Sequence, residues 1–218
     1  MRIALIIYGR LETLTGGFLY DRYLVEALRR RGHRVAVVSL PWRPYMLCLA
    51  ENLSPGGKQR VLSGDWDLLL QDELTHPSLV GLNRRLKKTT GRPIVAIVHQ
   101  VLCRQPRRAG WNLFFRAVEK AYLESVDAFI FNSTATRRET LSLVRNTRPH
   151  RVIRPAGSRL GPLPAPDAIA ARSGRGGPLE LLFVGNISPV KGLEPLIRAL
   201  GQIPPSGWRL TVAGDTRV

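Results

Sequence analysis

The sequence predicts an α/β protein: a Rossmann-like parallel sheet sandwiched by helices, followed by an incomplete second Rossmann-like domain. Three observations predict this class. The chain opens on a nearly continuous apolar run, residues 3–8, which is typical of a parallel strand buried on both faces. Short apolar runs then alternate with segments of helical spacing. A Pro- and Gly-rich stretch, residues 161–178, precedes a restart of the same alternation.

The first elements predict a right-handed βαβ unit. Thr15-Gly16-Gly17 follows the first strand, and apolar residues recur at helical spacing from Leu19 onward. Gly32 ends this helix, with three arginines in its last turn, where the helix dipole favours cations. The strand Arg34–Leu40 comes next. Because the crossover between parallel strands is right-handed, this opening predicts a parallel sheet.

The remaining elements of the first domain continue the alternation. The predicted strands are residues 67–71, 93–99, 127–132 and 151–154, and the predicted helices are residues 78–88, 111–125 and 136–144. Thr136 and Glu139 have the spacing of a capping box at the start of the last of these helices. These elements predict a first domain over residues 1–160.

The segment after the first domain predicts a linker and then a second unit. Residues 161–178 hold closely spaced prolines and glycines, as linkers do. Strand Leu179–Val184, a helix over residues 193–201 and strand Trp208–Ala213 then predict one βαβ unit within residues 179–218. About 40 residues are too few to bury a core of their own. We therefore expect the chain to be a fragment that holds the start of a second domain.

Composition limits the function classes. The net charge is +17, and 28 of the 33 cations are arginines, which indicates either an anionic partner or GC-rich codon usage. No apolar run approaches the roughly 18 residues of a membrane span, and the start is too short for a signal peptide. Cys48 and Cys103 lack metal-ligand spacing and predict reduced thiols in a cytoplasmic protein. No nucleic-acid-binding motif appears, so nucleic acid is not an expected partner.

Two phosphate-binding motifs are absent. No Gly-x-Gly-x-x-Gly follows the first strand, which excludes the dinucleotide fingerprint. The segment from Gly185 to Lys191 is not a Walker A loop, because Gly192 stands where Ser or Thr follows the lysine.

Candidate residues lie where the predicted strands end, since ligands of doubly wound sheets bind outside the carboxyl ends of the strands. Gly16 and Gly17 at a helix N-terminus favour a phosphate or carboxylate, or form a tight turn that needs positive φ. Asp72 and Glu73 either face the cleft or form the solvated end of a strand. His99 ends an apolar strand, either as a functional residue or as a core histidine.

Two further candidates lie farther along the chain. Ser133 follows a strand, where it faces the cleft or only caps the next helix. Lys191 stands beside a predicted helix N-terminus in the second unit, so a polyphosphate there receives both a cation and N–H donors. The alternative is an ordinary surface lysine.

Taken in order, these motifs resemble the retaining glycosyltransferases of the GT-B fold, in the family 4-like group. The resemblance covers the whole chain and rests on Thr15-Gly16-Gly17, Tyr20, Leu24, Leu28, Gly32-His33, the run from Val35 to Val38, His99, Asn132-Ser133, Pro155-Ala156-Gly157, and the segment from Val184 to Gly192. It implies an acceptor-side domain, the GT-B N-terminal domain, followed by a nucleotide-sugar domain.

The resemblance implies roles for matching positions. Gly16 and Gly17 lie near the donor phosphates and the acceptor, and His99 contacts the transferred sugar. Lys191, with Asn186 beside the same loop, binds the donor diphosphate. The implied reaction is transfer from a nucleotide-sugar with retention, without a metal or other cofactor. The acceptor class is open, with lipid-linked or polysaccharide acceptors as examples, and Asp72, Glu73 and Ser133 are the acceptor-side candidates.

The sequence departs from the family pattern at two points. The family places an Arg after the glycine that ends the donor-domain strand, and this chain has Asn186 there. The family's Glu-x7-Glu pair, which contacts the donor, is absent, since no two Glu residues here have that spacing. We therefore expect the donor site to be incomplete and the 218-residue chain alone to be inactive.

A second hypothesis is a basic module that binds an anionic membrane surface without catalysis. Aromatic residues lie among cations in two clusters, one around Trp111 and the other around Trp42. The alternative is ordinary packing of Phe114 and Val118 at helical spacing. Membrane binding is also compatible with a transferase that works at the inner face of a membrane.

Overall fold

The computed structural model of the chain describes residues 1–53, 61–62, 64–105, 109–155 and 161–215. Two compact units are present, Met1–Gly157 and Ser158–Val218, and each has its own parallel sheet. Ala156-Gly157, which the family resemblance includes, and Arg107-Arg108, two cations of the cluster around Trp111, lie outside the described residues. Among the helices that the structure describes, none is long and apolar enough to cross a membrane.

The first unit contains a six-stranded, wholly parallel sheet in the order β2-β1-β3-β4-β5-β6. Its strands are β1 (Arg2–Tyr8), β2 (Arg34–Leu40), β3 (Leu68–Asp72), β4 (Ile94–Val98), β5 (Ala128–Phe131) and β6 (His150–Val152). The predicted α/β class with a Rossmann-like parallel sheet is therefore confirmed. The predicted strands differ from these by no more than two residues at either end.

Strand β1 shows why the sheet is buried on both faces. Every residue of β1 after Arg2 is buried. Successive side chains point to opposite faces, so Ala4, Ile6 and Tyr8 belong to one hydrophobic cluster, while Ile3, Leu5 and Ile7 belong to another. Helices cover both faces, and a continuous apolar run is the sequence pattern that such a strand requires.

The helices of the first unit connect these strands. Those whose bounds lie within the described residues are α1 (Gly16–Arg30), α2 (Tyr45–Ala50), α3 (His76–Thr89), α4 (Ala109–Leu123) and α5 (Thr134–Leu141). Helix α2 was not predicted, because six residues are too few to display a helical period. Both cysteines are buried and free, in agreement with the prediction of reduced thiols.

The predicted capping box at Thr136 and Glu139 is wrong. Helix α5 begins two residues earlier, and Ser133 is its N-cap, with Oγ accepting a hydrogen bond from the backbone N of Thr136 at 3.0 Å. The Thr136 hydroxyl is instead bound to the Asn132 side chain at 2.8 Å. An earlier residue with extended backbone, Ser133, therefore takes the capping role.

The second unit is a small βαβ arrangement. It holds α6 (Pro166–Ser173), β7 (Leu179–Val184), α7 (Leu193–Leu200) and β8 (Trp208–Ala213), with β7 and β8 paired in parallel. Helix α6 lies inside residues 161–178 and is exposed along its length. The role of these residues as a linker stays a prediction. Both strands of the pair match their predicted bounds.

Candidate functional site

The candidate site of the first unit lies at the carboxyl edge of its sheet. Strands β1, β3 and β4 are neighbours and run in parallel, so the segments that follow them meet at one edge. Asp72 is the last residue of β3, His99 follows β4, and α1 begins after the loop that follows β1. The sheet thus brings three of the predicted segments together.

The N-terminus of α1 forms one side of this site. Thr15 is the N-cap, and its Oγ1 accepts a hydrogen bond from the backbone N of Phe18 at 3.2 Å. Gly16 and Gly17 then occupy the first turn, neither of them among the glycines with positive φ. The tight-turn explanation of these glycines is therefore wrong.

Gly17 has a steric reason to be glycine. A Cβ at position 17 would lie 3.3 Å from Cδ2 of His99, whereas a Cβ at Gly16 would meet open space. The missing side chain at Gly17 lets the imidazole ring pack directly on the first turn of α1. The His99 ring therefore lies against the first turn of α1, where the helix has its leading N–H groups.

His99 is held by side chains from two other elements. Its Nε2 lies 3.2 Å from Oδ1 of Asp21 in α1, and its ring meets the ring of Tyr20 edge-on, with centroids 5.2 Å apart. Its backbone O accepts a hydrogen bond from Nδ2 of Asn132 at 2.8 Å. The side chain is 11% exposed, so His99 is a largely buried residue with one accessible part.

The environment of His99 favours its charged form. Burial acts against the imidazolium, but the hydrogen bond to Asp21 and the charges of Asp72, Asp21 and Glu73 outweigh burial. The pKa of His99 is consequently raised above its ordinary value. This edge of the sheet therefore favours a cationic ring beside a helix N-terminus.

Asp72 and Glu73 are both buried, so the solvated strand end considered from the sequence is wrong. Oδ1 of Asp72 accepts a hydrogen bond from the backbone N of Leu74 at 3.0 Å, and the Thr75 hydroxyl donates to the backbone O of Asp72 at 2.6 Å. Burial, with the charge of Asp21, raises the pKa of Asp72 to about 7. A role for either carboxylate toward an acceptor stays a prediction.

Glu73 belongs to a second group of buried acids. Its Oε1 lies 3.0 Å from Nδ1 of His76, and burial raises its pKa to about 8. Glu119 in α4 is also buried, and its two carboxylate oxygens accept hydrogen bonds from the backbone N of Leu102 and of Cys103. Burial and the charge of Glu73 raise the pKa of Glu119 to about 7. Glu119 therefore fixes the segment after β4, and both acids retain protons to a higher pH than ordinary carboxyl groups do.

Asp21, Asp72 and His99 are the group that offers metal-ligand atoms in the described ranges. One ligand atom from each lies within 4.8 Å of the others. A cation bound through Nε2 of His99 would have to replace the hydrogen bond to Asp21. The geometry therefore suits an internal hydrogen bond between His99 and Asp21, with the Asp72 carboxylate close to both.

Ser133 lies at the same edge but acts on its own helix. Its hydroxyl caps α5 and is 2.9 Å from the Thr136 hydroxyl. The capping explanation of Ser133 is therefore confirmed, and an acceptor contact stays a prediction. The neighbouring residue Asn132 is the one that reaches the backbone of His99.

Asn186 and Lys191 lie on the loop between β7 and α7 in the second unit. Lys191 ends a 3-10 turn, Pro189–Lys191, and is exposed. Its Cδ lies 4.0 Å from the position of a Cβ on Gly185, so the lysine stem passes over the end of β7. Gly192 follows with φ 77° as the N-cap of α7. In the part of the chain that the structure describes, Lys191 forms no ion pair, and its ammonium group is available to a ligand.

Sequence reasoning missed Asp21, Glu119 and the Asn132 side chain. Asp21 is four residues after Gly17, so the two share one face of α1. A carboxylate on the face that carries the glycine pair was the available signal. Glu119 gave no comparable signal, because its partners are backbone groups of a loop.

Comparison with known families bears directly on this arrangement. The model of the family described as Glycosyltransferase Family 4 matches residues 16–156, more than half of the chain. The chain belongs to glycosyltransferase family 4. The match begins at Gly16 and includes His99 and Asp21, so the site described here lies within the family region.

One curated relative of this family 4 chain is the D-inositol 3-phosphate glycosyltransferase of Kineococcus radiotolerans. The two are 35% identical over 89 residues, which cover 39% of this chain and 20% of the relative. The chain therefore spans a fifth of that relative's length in the matched region.

Solved structures show the same fold. The match to sucrose-phosphate synthase from Thermosynechococcus elongatus covers 98% of this chain and 62% of the synthase chain, with a TM-score of 0.71 and 20% sequence identity. The apo structure of OtsA matches all of this chain and 66% of its own, with a TM-score of 0.57 and 16% identity. A trehalose-6-phosphate structure from E. coli, bound with UDP-2-fluoro glucose, matches this chain with a TM-score of 0.55 and 16% sequence identity. The chain has the α/β fold of the GT-B glycosyltransferases.

Proposed function

We propose that this family 4 chain serves the transfer of a sugar from a nucleotide-sugar donor to an acceptor hydroxyl, with retention at the anomeric carbon. The observation that carries the proposal is the packing of His99 on Gly17 at the N-terminus of α1, with Asp21 behind the ring. This places the first turn of a helix beside an imidazole whose charged form is favoured. Such a group of donors suits the oxygens of a sugar that carries a diphosphate.

The proposed chemistry assigns one task to each group. The bond between the anomeric carbon and the diphosphate oxygen breaks, and the acceptor oxygen forms its bond on the same face. The acceptor proton ends on the departing nucleoside diphosphate. His99 binds the transferred sugar, and the first turn of α1 at Gly16 and Gly17 binds phosphate oxygens. Because the helix N-terminus and the imidazole supply positive charge at this site, the proposal needs no metal ion.

The second unit supports a diphosphate site of its own. Lys191 is exposed beside the start of α7, and Asn186 replaces the Arg that the family resemblance expects. At this loop, one cation, Lys191, is therefore present where the family resemblance expects two. We propose weaker donor binding than in a transferase with both cations, and little transfer by the 218 residues alone, which lack the acidic pair of the resemblance.

The test is donor binding by the purified chain, with UDP-glucose as the first probe and other nucleotide-sugars as competitors, read by ligand-observed NMR. We expect His99→Ala to weaken donor binding at the first unit about tenfold, and Lys191→Ala to weaken diphosphate binding at the loop of the second unit by a similar factor, as the loss of one charged hydrogen bond does. His33→Ala and Lys88→Ala are the matched controls, since His33 precedes β2 at the opposite edge and Lys88 is an exposed lysine of α3. Binding that none of the four substitutions changes would refute the assignment.

A separate observation favours an anionic membrane surface as a partner. Helices α2 and α4 join through Tyr45 and Phe115, whose ring centroids are 4.1 Å apart, and Trp111 packs on Phe115. Several large apolar side chains of this region are exposed: Trp42 (66%), Met46, Leu47, Trp111 (50%) and Leu113 (71%). Phe114 and Val118 are half-buried, so core packing accounts for only part of the cluster.

The chemistry of this aromatic surface fits a lipid interface. Tryptophans favour the headgroup region, and Arg43 and Arg116 are exposed among the apolar residues. A chain of net charge +17 adds attraction to anionic lipid. We therefore propose that the aromatic surface docks on an anionic bilayer and brings a membrane-associated acceptor to the site.

Vesicle co-sedimentation tests this partner. Binding to vesicles with anionic lipid, and its loss in Trp42→Ala/Trp111→Ala, are expected, with affinity falling as salt rises. Leu163→Ala removes an even more exposed apolar residue, which lies in the second unit, and is the control. If the chain binds these vesicles at none of the salt concentrations, including the lowest, the proposal is refuted.

A further inference from the structure

Two carboxylates lie behind the His99 ring in the interior of the first unit. Asp21 of α1 and Asp72 of β3 are both buried, and each acts on the charge of His99. Oδ1 of Asp21 is bound to Nε2 of His99, while Oδ2 has no hydrogen-bond partner among the described residues. An unpaired oxygen of a buried carboxylate is costly, so the pairing of Oδ1 must offset much of that cost.

The His99 ring is restrained on several sides. Gly17 lies against Cδ2, Tyr20 meets the ring edge-on, and Asp21 takes Nε2. Asn132 fixes the backbone O of the same residue. Within the described ranges, no residue forms a hydrogen bond to Nδ1, so Nδ1 is the ring nitrogen left for a ligand.

We propose that Asp21 is a positioning residue, which binds Nε2–H of His99 and so presents Nδ1 to the sugar donor. This rests on the proposed function only in naming the donor as the ligand. When the ring is neutral, the bond to Asp21 keeps the proton on Nε2 and leaves Nδ1 as an acceptor for a sugar hydroxyl. When the ring is charged, Nδ1–H becomes a donor to a hydroxyl or phosphate oxygen.

The charges around the ring raise the pKa of His99 and so the pH at which this switch occurs. The acidic groups that act on His99 are Asp21 from α1, Asp72 from β3 and Glu73 from the turn that follows. On the side of β5 and α5, the contacts come from neutral groups, Asn132 and Thr136, at the backbone O. The donor should therefore bind better on the acidic side of the His99 pKa, where Nδ1 carries a proton.

Nitrogen-15 NMR of the imidazole tests the tautomer in the unaltered chain, without any sugar. At a pH that leaves the ring neutral, we expect His99 to carry its proton on Nε2. A neutral ring protonated on Nδ1 would overturn the proposal. Because this measurement needs neither a donor nor a variant, it stays decisive if a substitution prevents folding.

Asp21→Asn gives the second arm. The amide keeps the shape of the side chain but removes its charge, so the imidazole pKa should fall by about one unit or more. The pH profile of UDP-glucose binding should shift with it. Asp67→Asn is the control, because Asp67 is exposed and binds the backbone N of Arg2 at the opposite edge of the sheet. An unchanged His99 pKa in Asp21→Asn would overturn the proposal.

The two proposals fail in different ways. If no nucleotide-sugar binds but the tautomer and the pKa shift are as expected, Asp21 still positions His99 and the assigned function is wrong. If the donor binds and the tautomer is reversed, the function stands and the role of Asp21 is wrong.

Discussion

Strands β1 and β7 begin similar units, yet they differ in burial. Each is an apolar run that ends at a glycine and leads into a helix, Gly9 after β1 and Gly185 after β7. Strand β1 lies between β2 and β3, with apolar clusters on both faces, whereas in the described ranges β7 pairs with β8 alone. An apolar run thus predicts a strand. How much that strand contributes to the stability of the fold depends on how many strands pair with it and on whether both of its faces are covered.

The largest expected difference between the two strands is in the effect of replacing one leucine in each by alanine. Leu5 is fully buried in β1, so Leu5→Ala should lower the free energy of unfolding by about 2–5 kcal/mol. Leu182 of β7 is 68% exposed, and Leu182→Ala should change it by less than about 0.5 kcal/mol. Denaturant unfolding measures both. Equal losses would mean that β7 is covered in solution and would end the contrast.

A pH series sharpens the comparison at the buried acids of the first unit. The folded pKa values of Asp72 and Glu119, about 7, and of Glu73, about 8, lie above ordinary carboxyl values, so the folded state binds more protons than the unfolded state. Their contribution to stability is full below about pH 4 and is lost as the pH rises toward 8. The raised pKa of His99 acts in the same direction.

We therefore expect the melting temperature of the first unit to fall between about pH 5 and 8. Each proton held only by the folded state contributes about 1.4 kcal/mol per pH unit. Glu73→Gln, which resembles the protonated acid, should flatten the slope. Thermal unfolding followed at the tryptophans measures it, and stability that rises over this range would contradict the assignment of buried, protonated carboxyls.

The smallest effect compares the glycines that begin the two helices. Gly192, the N-cap of α7, has φ 77°, so Gly192→Ala should cost about 1 kcal/mol, since L residues are strained there. Gly16, in the first turn of α1, has open space and no positive φ, so Gly16→Ala should cost nothing or stabilise slightly. Proteolysis of the native state reports both. An equal response at the two positions would contradict the backbone difference.

Much of the fold follows from local pattern. Strands of a parallel sheet appear in the sequence as short apolar runs, so residues of β1, β2, β7 and β8 were identifiable, although β7 and β8 are half-buried or exposed. The edge that carries the site followed from the rule on strand ends, which selected Gly17 and His99. Helix α2 escaped because short helices display no period.

The site itself was only partly predictable, and the reason is spatial. Asp72 follows three leucines and resembles a solvated strand end, but the turn that begins there folds back and buries it. Asp21 is one acid in a helix with many charged residues, and only the packing of His99 on Gly17 shows that it faces inward. Contacts between α1 and the end of β4 join residues 78 apart, which no local pattern records.

The buried acids also change how the folded chain behaves as a polyelectrolyte. The formal charge of +17 counts all sixteen acids as anions. Asp72, Glu73 and Glu119 retain part of their protons at neutral pH, and the raised pKa of His99 acts in the same direction, so the folded molecule is more cationic than its composition states. Folding therefore takes up protons from the buffer, and the native chain should migrate faster toward a cathode than its formal charge implies.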